Sequence, residues 1–165
     1  GPAGAGGAPG VRDRRFVAEH RGGPLTRDQH RQLIAWAGDC ARSVLPLLGT
    51  DVDRRLLEAL QVARAWALGE ATVGAARKAA LQAFAVARAS ATPPAQAVAR
   101  SVGHAVATAH MADHALGAAL YALSAVRAAG GSSSAERRRQ DHQLPAGVRE
   151  LVLSARRQRE TASRR

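Results

Sequence analysis

The fold of this chain is decided by Ala95–Ala129, which reads AQAVARSVGHAVATAHMADHALGAALYALSAVRAA. The larger apolar residues of this stretch, among them Leu116 and Leu120, recur at helical spacing, and Ala and Gly fill many positions between them. Small side chains allow neighbouring helices to approach closely. We therefore expect this stretch to lie at the centre of an all-helical domain.

Two interpretations of the central stretch are open. A single unbroken helix of about 35 residues would be long against the usual 8–20. Asp113 is a reasonable N-cap, which predicts one helix that ends near Met111 and a second that runs from His114 to Ala129. We favour two helices because of their length.

The composition favours helix over strand throughout the chain. Aromatic residues make up only 3% of the sequence, so Leu, Val and Ala must fill the core. Thr26, Thr72 and Thr92 each precede an apolar helical pattern and are predicted N-caps, while Pro46 should end or kink the helix that Thr26 begins. These signals predict a single-domain, all-α bundle of about six helices with mostly antiparallel neighbours.

The two ends of the chain differ from its body. Residues 1–11 are mostly Gly, Ala and Pro, and we interpret them as a disordered tag or linker. The formal net charge is +11, and nine Arg against four acidic residues fall between 135 and 165. We expect a helical domain over residues 12–154 and a disordered basic tail over 155–165.

Cys40 is the single cysteine, so the chain has no intramolecular disulfide framework, and a reducing compartment fits. No run of about 18 apolar residues is available to span a membrane, and the glycine-rich start does not read as a secretion signal. We expect a cytoplasmic protein with no membrane partner. The sequence also contains no phosphate-binding loop, dinucleotide fingerprint or paired cysteines, which predicts no cofactor.

The histidines are the first candidates for chemistry. His110 and His114 stand four residues apart within HMADH, and on one helix their imidazoles would share a face. The motif lacks the Glu of a metalloprotease, and His104 points to another side of such a helix. We predict no metal site. A third ligand would have to come from distant residues: His20, His30, Asp39, Cys40 or His142.

Other candidates lie on the preceding helices. Asp39 stands beside Cys40, but Cys40 falls on the apolar stripe and is predicted to be a small buried hydrophobe rather than a nucleophile. Glu58, Arg64 and Glu70 are charges on or beside mostly apolar helices. Because buried charges must pair, we expect an internal network between Arg and carboxylate side chains.

Four segments of the sequence carry a resemblance to a known family. They are LIAWAGDCARSVLPLL (33–48), DRRLLEALQVARAWALGE (53–70), VGAARKAA (73–80) and GHAVATAHMADHALGAALYALSAVRAA (103–129). Together they resemble a family of small helical actinobacterial proteins called putative immunity proteins, over about residues 26–152. The resemblance implies neutralisation of a cognate toxin or effector by binding, and no catalytic residue is carried over from it. The motifs of the family fall on Trp36, Asp39, Cys40, Glu58, Arg64, Trp66, Glu70, His104, His110 and His114.

The first hypothesis is therefore a non-enzymatic protein that binds a toxin or effector protein. The alternative is a small helical enzyme or ligand-binding protein of a biosynthetic pathway, with a polar pocket around His104, His110 and His114 that takes a small molecule. A second alternative is a nucleic-acid-associated protein that uses the basic tail. Charge alone supports it, because no stacking aromatic lies among the arginines. A homodimer is left open.

Overall fold

The computed structural model describes residues 12–163, and within that range it contains helices joined by turns and loops, with no β-strand. The α-helices are α1 Arg27–Val44, α2 Arg54–Ala67, α3 Val73–Ala89, α4 Pro93–Ala107, α5 His114–Ala128, α6 Ser133–His142 and α7 Arg149–Ser163. The prediction of an all-α bundle is confirmed. The polar stretch after α5 forms α6, so residues 12–163 contain seven α-helices where the sequence predicted about six. None of the described helices has both the length and the apolar character needed to cross a membrane.

The ends of the helices follow local signals in the sequence. The hydroxyl oxygens of Thr26, Thr72 and Thr92 each accept a hydrogen bond from a backbone N–H three residues further on, at 3.1, 3.0 and 3.3 Å. Thr26 forms a full capping box, because the side chain of Gln29 also accepts from the Thr26 backbone. Asp53 caps α2. These predicted helix starts are therefore confirmed.

The stretch predicted to be central occupies the middle of the bundle. Helix α4 packs along α5, and α1 lies against both. The hydroxyl of Ser101 on α4 donates to the carbonyl of Ala118 on α5 at 2.7 Å, in a fully buried position. A Cβ on Gly103 would lie 2.7 Å from the ring of Phe84, so α3 and α4 also meet closely at a glycine. The central position of residues 95–129 is confirmed, although Leu120 is 54% exposed.

The segment before α1 is also part of the fold. We interpret residues 12–20 as two helical turns, and the structure has two short 3₁₀ turns, Arg14–Phe16 and Glu19–Arg21. Phe16 is buried against the bundle. An isolated bridge between Ala18 and Leu25 brings the chain back to the start of α1.

The expectation of a disordered tail from residue 155 was wrong for the part that the structure describes. Helix α7 continues to Ser163, and Arg156 within it is only 7% exposed. The apolar spacing that begins at Val148 and Val152 continues to Ala155, and all three side chains are buried. The proposed tag or linker, residues 1–11, lies outside the described residues.

Candidate functional site

The connection between α4 and α5 determines how the histidines meet. Helix α4 ends at Ala107 and α5 begins at His114, so the prediction of two helices is confirmed. Asp113 occupies the N-cap position but makes no capping hydrogen bond with its side chain. Its carboxylate instead accepts from the guanidinium of Arg12 at 2.5 Å, which ties the start of the chain to this connection.

The break brings His104 against His114. Their Nδ1 atoms lie 2.9 Å apart, so one imidazole donates a hydrogen bond and the other accepts it. The ring of His104 stacks on Tyr121 with the centroids 5.2 Å apart, and the edge of Phe84 packs against it at the same distance. His110 lies next to His114, with 5.4 Å between the ring centroids. The predicted grouping of these histidines is thus found, but without the geometry of one continuous helix.

The cluster is held in its neutral form. Burial, followed by the neighbouring His114, lowers the pKa of His104 from 6.5 to about 4. Burial is also the main cause that lowers the pKa of His114, although Asp113 opposes it. The pKa of His110 is lowered by burial and then by Arg77 and other nearby arginines. Imidazoles with lowered pKa values carry no charge near neutral pH.

His110 has one polar atom without a partner. Its Nδ1 is buried and makes no hydrogen bond within residues 12–163. His110 also lines a cavity of about 60 Å³, together with Arg12, Phe16 and Met111. His30 lines the same cavity and donates from Nε2 to the carbonyl of Thr108 at 2.6 Å. The cavity is small and its lining is mostly apolar, with Phe16 and Met111 beside the few polar groups, and it has room for water-sized groups.

The arrangement provides few of the parts of a catalytic centre. Within residues 12–163, no group of three or more His, Cys, Asp and Glu side chains is placed to hold a metal ion. The hydroxyl of Thr108, the one closest in sequence to the cluster, donates to the carbonyl of His104. A pKa of about 4 also makes His104 a weak base near neutral pH.

The remaining candidate residues do not join the histidines. Asp39, Glu58, Arg64 and Glu70 are exposed side chains on α1, α2 and the turn after α2. Asp39 pairs with Arg42 of its own helix at 3.6 Å, and Glu58 lies 3.9 Å from Arg54. The expected internal network of Glu58, Arg64 and Glu70 was therefore wrong. Glu58 and Arg64 lie on the solvent face of α2 and Glu70 lies in the turn after it, so none of these three charges is buried.

Cys40 behaves as the sequence predicts. The side chain is fully buried in the core, and burial raises the pKa of the thiol to about 12. A thiol with so high a pKa is not a nucleophile at neutral pH. The prediction of a small buried hydrophobe at this position is confirmed.

A buried polar network does exist, but it uses residues that the sequence analysis missed. Gln140 is fully buried, and its side-chain nitrogen donates to the carbonyl of Ala119 at 3.0 Å. Arg156 donates to the side-chain oxygen of Gln140, and to Asp141 at 2.7 Å. The indole N–H of Trp36 donates to the backbone carbonyl of Gln140 at 2.9 Å. This network connects α1, α5, α6 and α7.

The fold and the site together define a small all-α protein with a filled core and a neutral histidine cluster. A family profile described as Imm-5 like putative immunity protein matches residues 23–147. The chain belongs to this family, whose match covers most of the helical bundle. Searches among curated proteins and among solved structures find no match.

Proposed function

We propose that the protein acts as an immunity protein that neutralises a cognate toxin or effector by binding it. The observation that supports this most directly is the family match over residues 23–147. The filled core and the exposed positions of Asp39, Glu58, Arg64 and Glu70 agree with it, because side chains on separate outer faces suit contact with a protein better than enclosure of a substrate.

Stoichiometry distinguishes binding from catalysis. The test uses a purified candidate effector protein from the source organism, and titrates the chain against a fixed amount of the effector's toxic activity. A binding inhibitor gives full protection at about one chain per effector molecule and partial protection below that ratio. Full protection at about a hundredth of that ratio would show turnover and contradict the proposal.

A non-cognate effector supplies the control. An effector of similar size from an unrelated strain should be neither bound nor inhibited at the same concentration, since immunity requires a specific interface. If the candidate effector itself forms no complex with the chain in size-exclusion chromatography and retains its activity, then neutralisation by binding is wrong for that pair.

One observation favours a second candidate, a ligand-binding or catalytic role for the histidine cluster. His110, whose buried Nδ1 makes no hydrogen bond within the described residues, lines the same cavity as Arg12 and His30. Perturbed titratable groups next to a cavity are typical of binding sites. The volume of about 60 Å³ limits such a ligand to a few atoms. For this reason we prefer neutralisation of a protein effector over a ligand-binding or catalytic role.

Nucleic acid binding through a basic tail has less support than the sequence suggested. Part of that tail belongs to α7, where Arg156 is buried in the network with Gln140 and Asp141. A side chain that is used inside the fold does not contact phosphate groups.

A further inference from the structure

A groove of about 570 Å³ lies between α5, α6 and α7, on a part of the molecule that the histidine cluster does not use. Helix α5 contributes Leu116, Leu120, Leu123 and Arg127 to its lining, at spacings of four, three and four residues. These spacings place the four side chains along one face of the helix. Over that face the groove extends for about three helical turns, roughly 16 Å.

The floor of the groove is apolar. Leu120 is 54% exposed, Leu123 is partly buried and Leu116, at the end of the row, is buried, whereas the opposite face of α5 is packed with fully buried alanines. An exposed leucine alone needs no explanation. A row of leucines that lines a concave surface is typical of a binding groove.

The sides of the groove are positively charged. Four arginines line it, namely Arg127, Arg137, Arg156 and Arg159, against one acidic residue, Glu160. Arg137 and Arg156 are paired with Asp141, and Arg137 also with Glu160. Within the described range, Arg127 and Arg159 form no ion pair. The groove therefore presents an excess of positive charge above an apolar floor.

We infer that this groove binds an acidic, amphipathic helix of the protein partner, an inference that rests on the proposed function. A helix places apolar anchors at positions i, i+4 and i+7 on one face, which matches the leucine row of α5. Acidic residues on its flanks then meet Arg127 and Arg159. The chain carries a net charge of +11, which also draws an acidic partner towards it.

Other occupants fit the groove less well. A second copy of the chain brings the same net charge of +11 to a surface that is already positive. Single-stranded nucleic acid requires aromatic platforms for its bases, and no aromatic side chain lines this groove. A membrane surface is flat or convex at this scale, whereas the leucines lie on a concave floor.

The test measures binding of a labelled synthetic peptide of about five helical turns, with leucines at helical spacing and glutamates elsewhere. A peptide of the same composition in scrambled order removes the apolar face, and one with lysine in place of glutamate reverses the charge. We expect the chain to bind the first peptide at least about tenfold more tightly than either of the others. Added salt should weaken this binding, because screening reduces the attraction between exposed charges.

Two groove variants and two matched controls locate the site. Leu120→Glu and the double variant Arg127→Glu with Arg159→Glu should each weaken peptide binding by about tenfold or more. Leu81→Glu, at a leucine that is 71% exposed on α3, is the control for the first. Arg77→Glu with Arg88→Glu, two exposed arginines of α3, gives the same change in net charge as the second. Both controls should bind the peptide like the unchanged chain.

The outcomes separate this inference from the proposed function. Equal losses in groove and control variants, or equal binding of all three peptides, would overturn the groove as a helix-binding site. So would dimerisation that Leu120→Glu abolishes, or tighter binding to anionic vesicles or single-stranded DNA than to the peptide. If the groove variants still neutralise the effector, the groove is not the binding site for the partner, and the immunity proposal stands. If the unchanged chain binds the peptide in the groove but never neutralises the effector, the immunity proposal is wrong.

Discussion

The imidazole of His104 lies directly against the backbone of Gly117, since a Cβ at position 117 would be 2.7 Å from the Nδ1 of His104. Gly117→Ala must therefore displace this ring and disturb its 2.9 Å hydrogen bond with His114. Overpacking of this kind costs about 1–3 kcal/mol. We expect a loss of that size in the free energy of unfolding, measured by urea denaturation.

Gly38→Ala is the matched control for this prediction. Gly38 also lies inside a helix, α1, but a Cβ there would meet no heavy atom within 4 Å. The same substitution should then stabilise the protein by about 0.5–1 kcal/mol, because alanine favours helix. A loss of stability at both positions would show that the contact between residue 117 and His104 is not the cause.

The histidine cluster should make stability depend on pH. The pKa of His104 is about 4 in the folded protein and 6.5 when unperturbed. The unfolded chain therefore takes up the proton first as the pH falls. The contribution of His104 to the free energy of unfolding is therefore fully present above about pH 6.5. It decreases as the pH falls towards 4 and then levels off, with a total loss of up to about 3 kcal/mol.

The pH dependence is measured by urea denaturation from about pH 8 to about pH 4 for the unchanged chain and for His104→Gln. The variant should lose less stability across this range. Asp13 and Asp53, whose pKa values are lowered by Arg15 and Arg55, lose their contribution only below about pH 4. An identical slope in both proteins would argue against a buried, neutral His104.

The two tryptophans differ in their burial. Trp36 is fully buried, while Trp66 is partly exposed and packs on His30 with ring centroids 4.6 Å apart. Trp36→Ala should cost about 3–5 kcal/mol, because it removes a large core side chain and the hydrogen bond to Gln140. Trp66→Ala should cost about 1–2 kcal/mol.

Fluorescence provides an independent measurement. Two single-tryptophan variants separate the signals, since Trp36→Phe reports only Trp66 and Trp66→Phe reports only Trp36. In the folded protein, iodide should quench the emission of Trp66 more than that of Trp36. Equal accessibility would contradict the burial described above.

The sequence predicted those features that depend on neighbouring residues. The caps at Thr26, Thr72 and Thr92 require only a side chain and a backbone N–H three residues away, and helix length alone indicated the break before His114. The burial of Gln140 and Arg156 depends instead on partners 15 or more residues away, in other helices. Their surroundings in the sequence, ERRRQDH and SARRQR, are typical of solvated surface. The sequence identified the members of the histidine cluster but not its geometry, because His104 meets His114 only after the chain turns.

The role of Arg156 leads to a prediction opposite to that of a disordered tail, which could be removed without loss of stability. Deletion of residues 156–165 removes the partner of the buried Gln140 side-chain oxygen and of Asp141. An unsatisfied buried polar group costs about 1–3 kcal/mol, so the Tm should fall by about 5 °C or more in a thermal melt. Deletion of residues 164–165 alone, which leaves the contacts of Arg156 in place, should leave the Tm unchanged. A Tm unaffected by the longer deletion would argue against the network.

The last prediction concerns His110, which distinguishes neutralisation of an effector through an outer surface from a ligand-binding or catalytic role of the histidine cluster. Its buried Nδ1 makes no hydrogen bond within the described chain, so His110→Gln removes no polar contact of that atom and should change stability by less than about 1 kcal/mol. If the protein neutralises its effector through an outer surface, the variant should protect as well as the unchanged chain. His142→Gln, at an exposed position, is the control for the substitution itself. The assays are a thermal melt and the effector titration, run side by side on both variants. A loss of protection by His110→Gln alone, at an unchanged Tm, would favour a ligand-binding or catalytic role, because a residue in such a site contributes to function more than to folding.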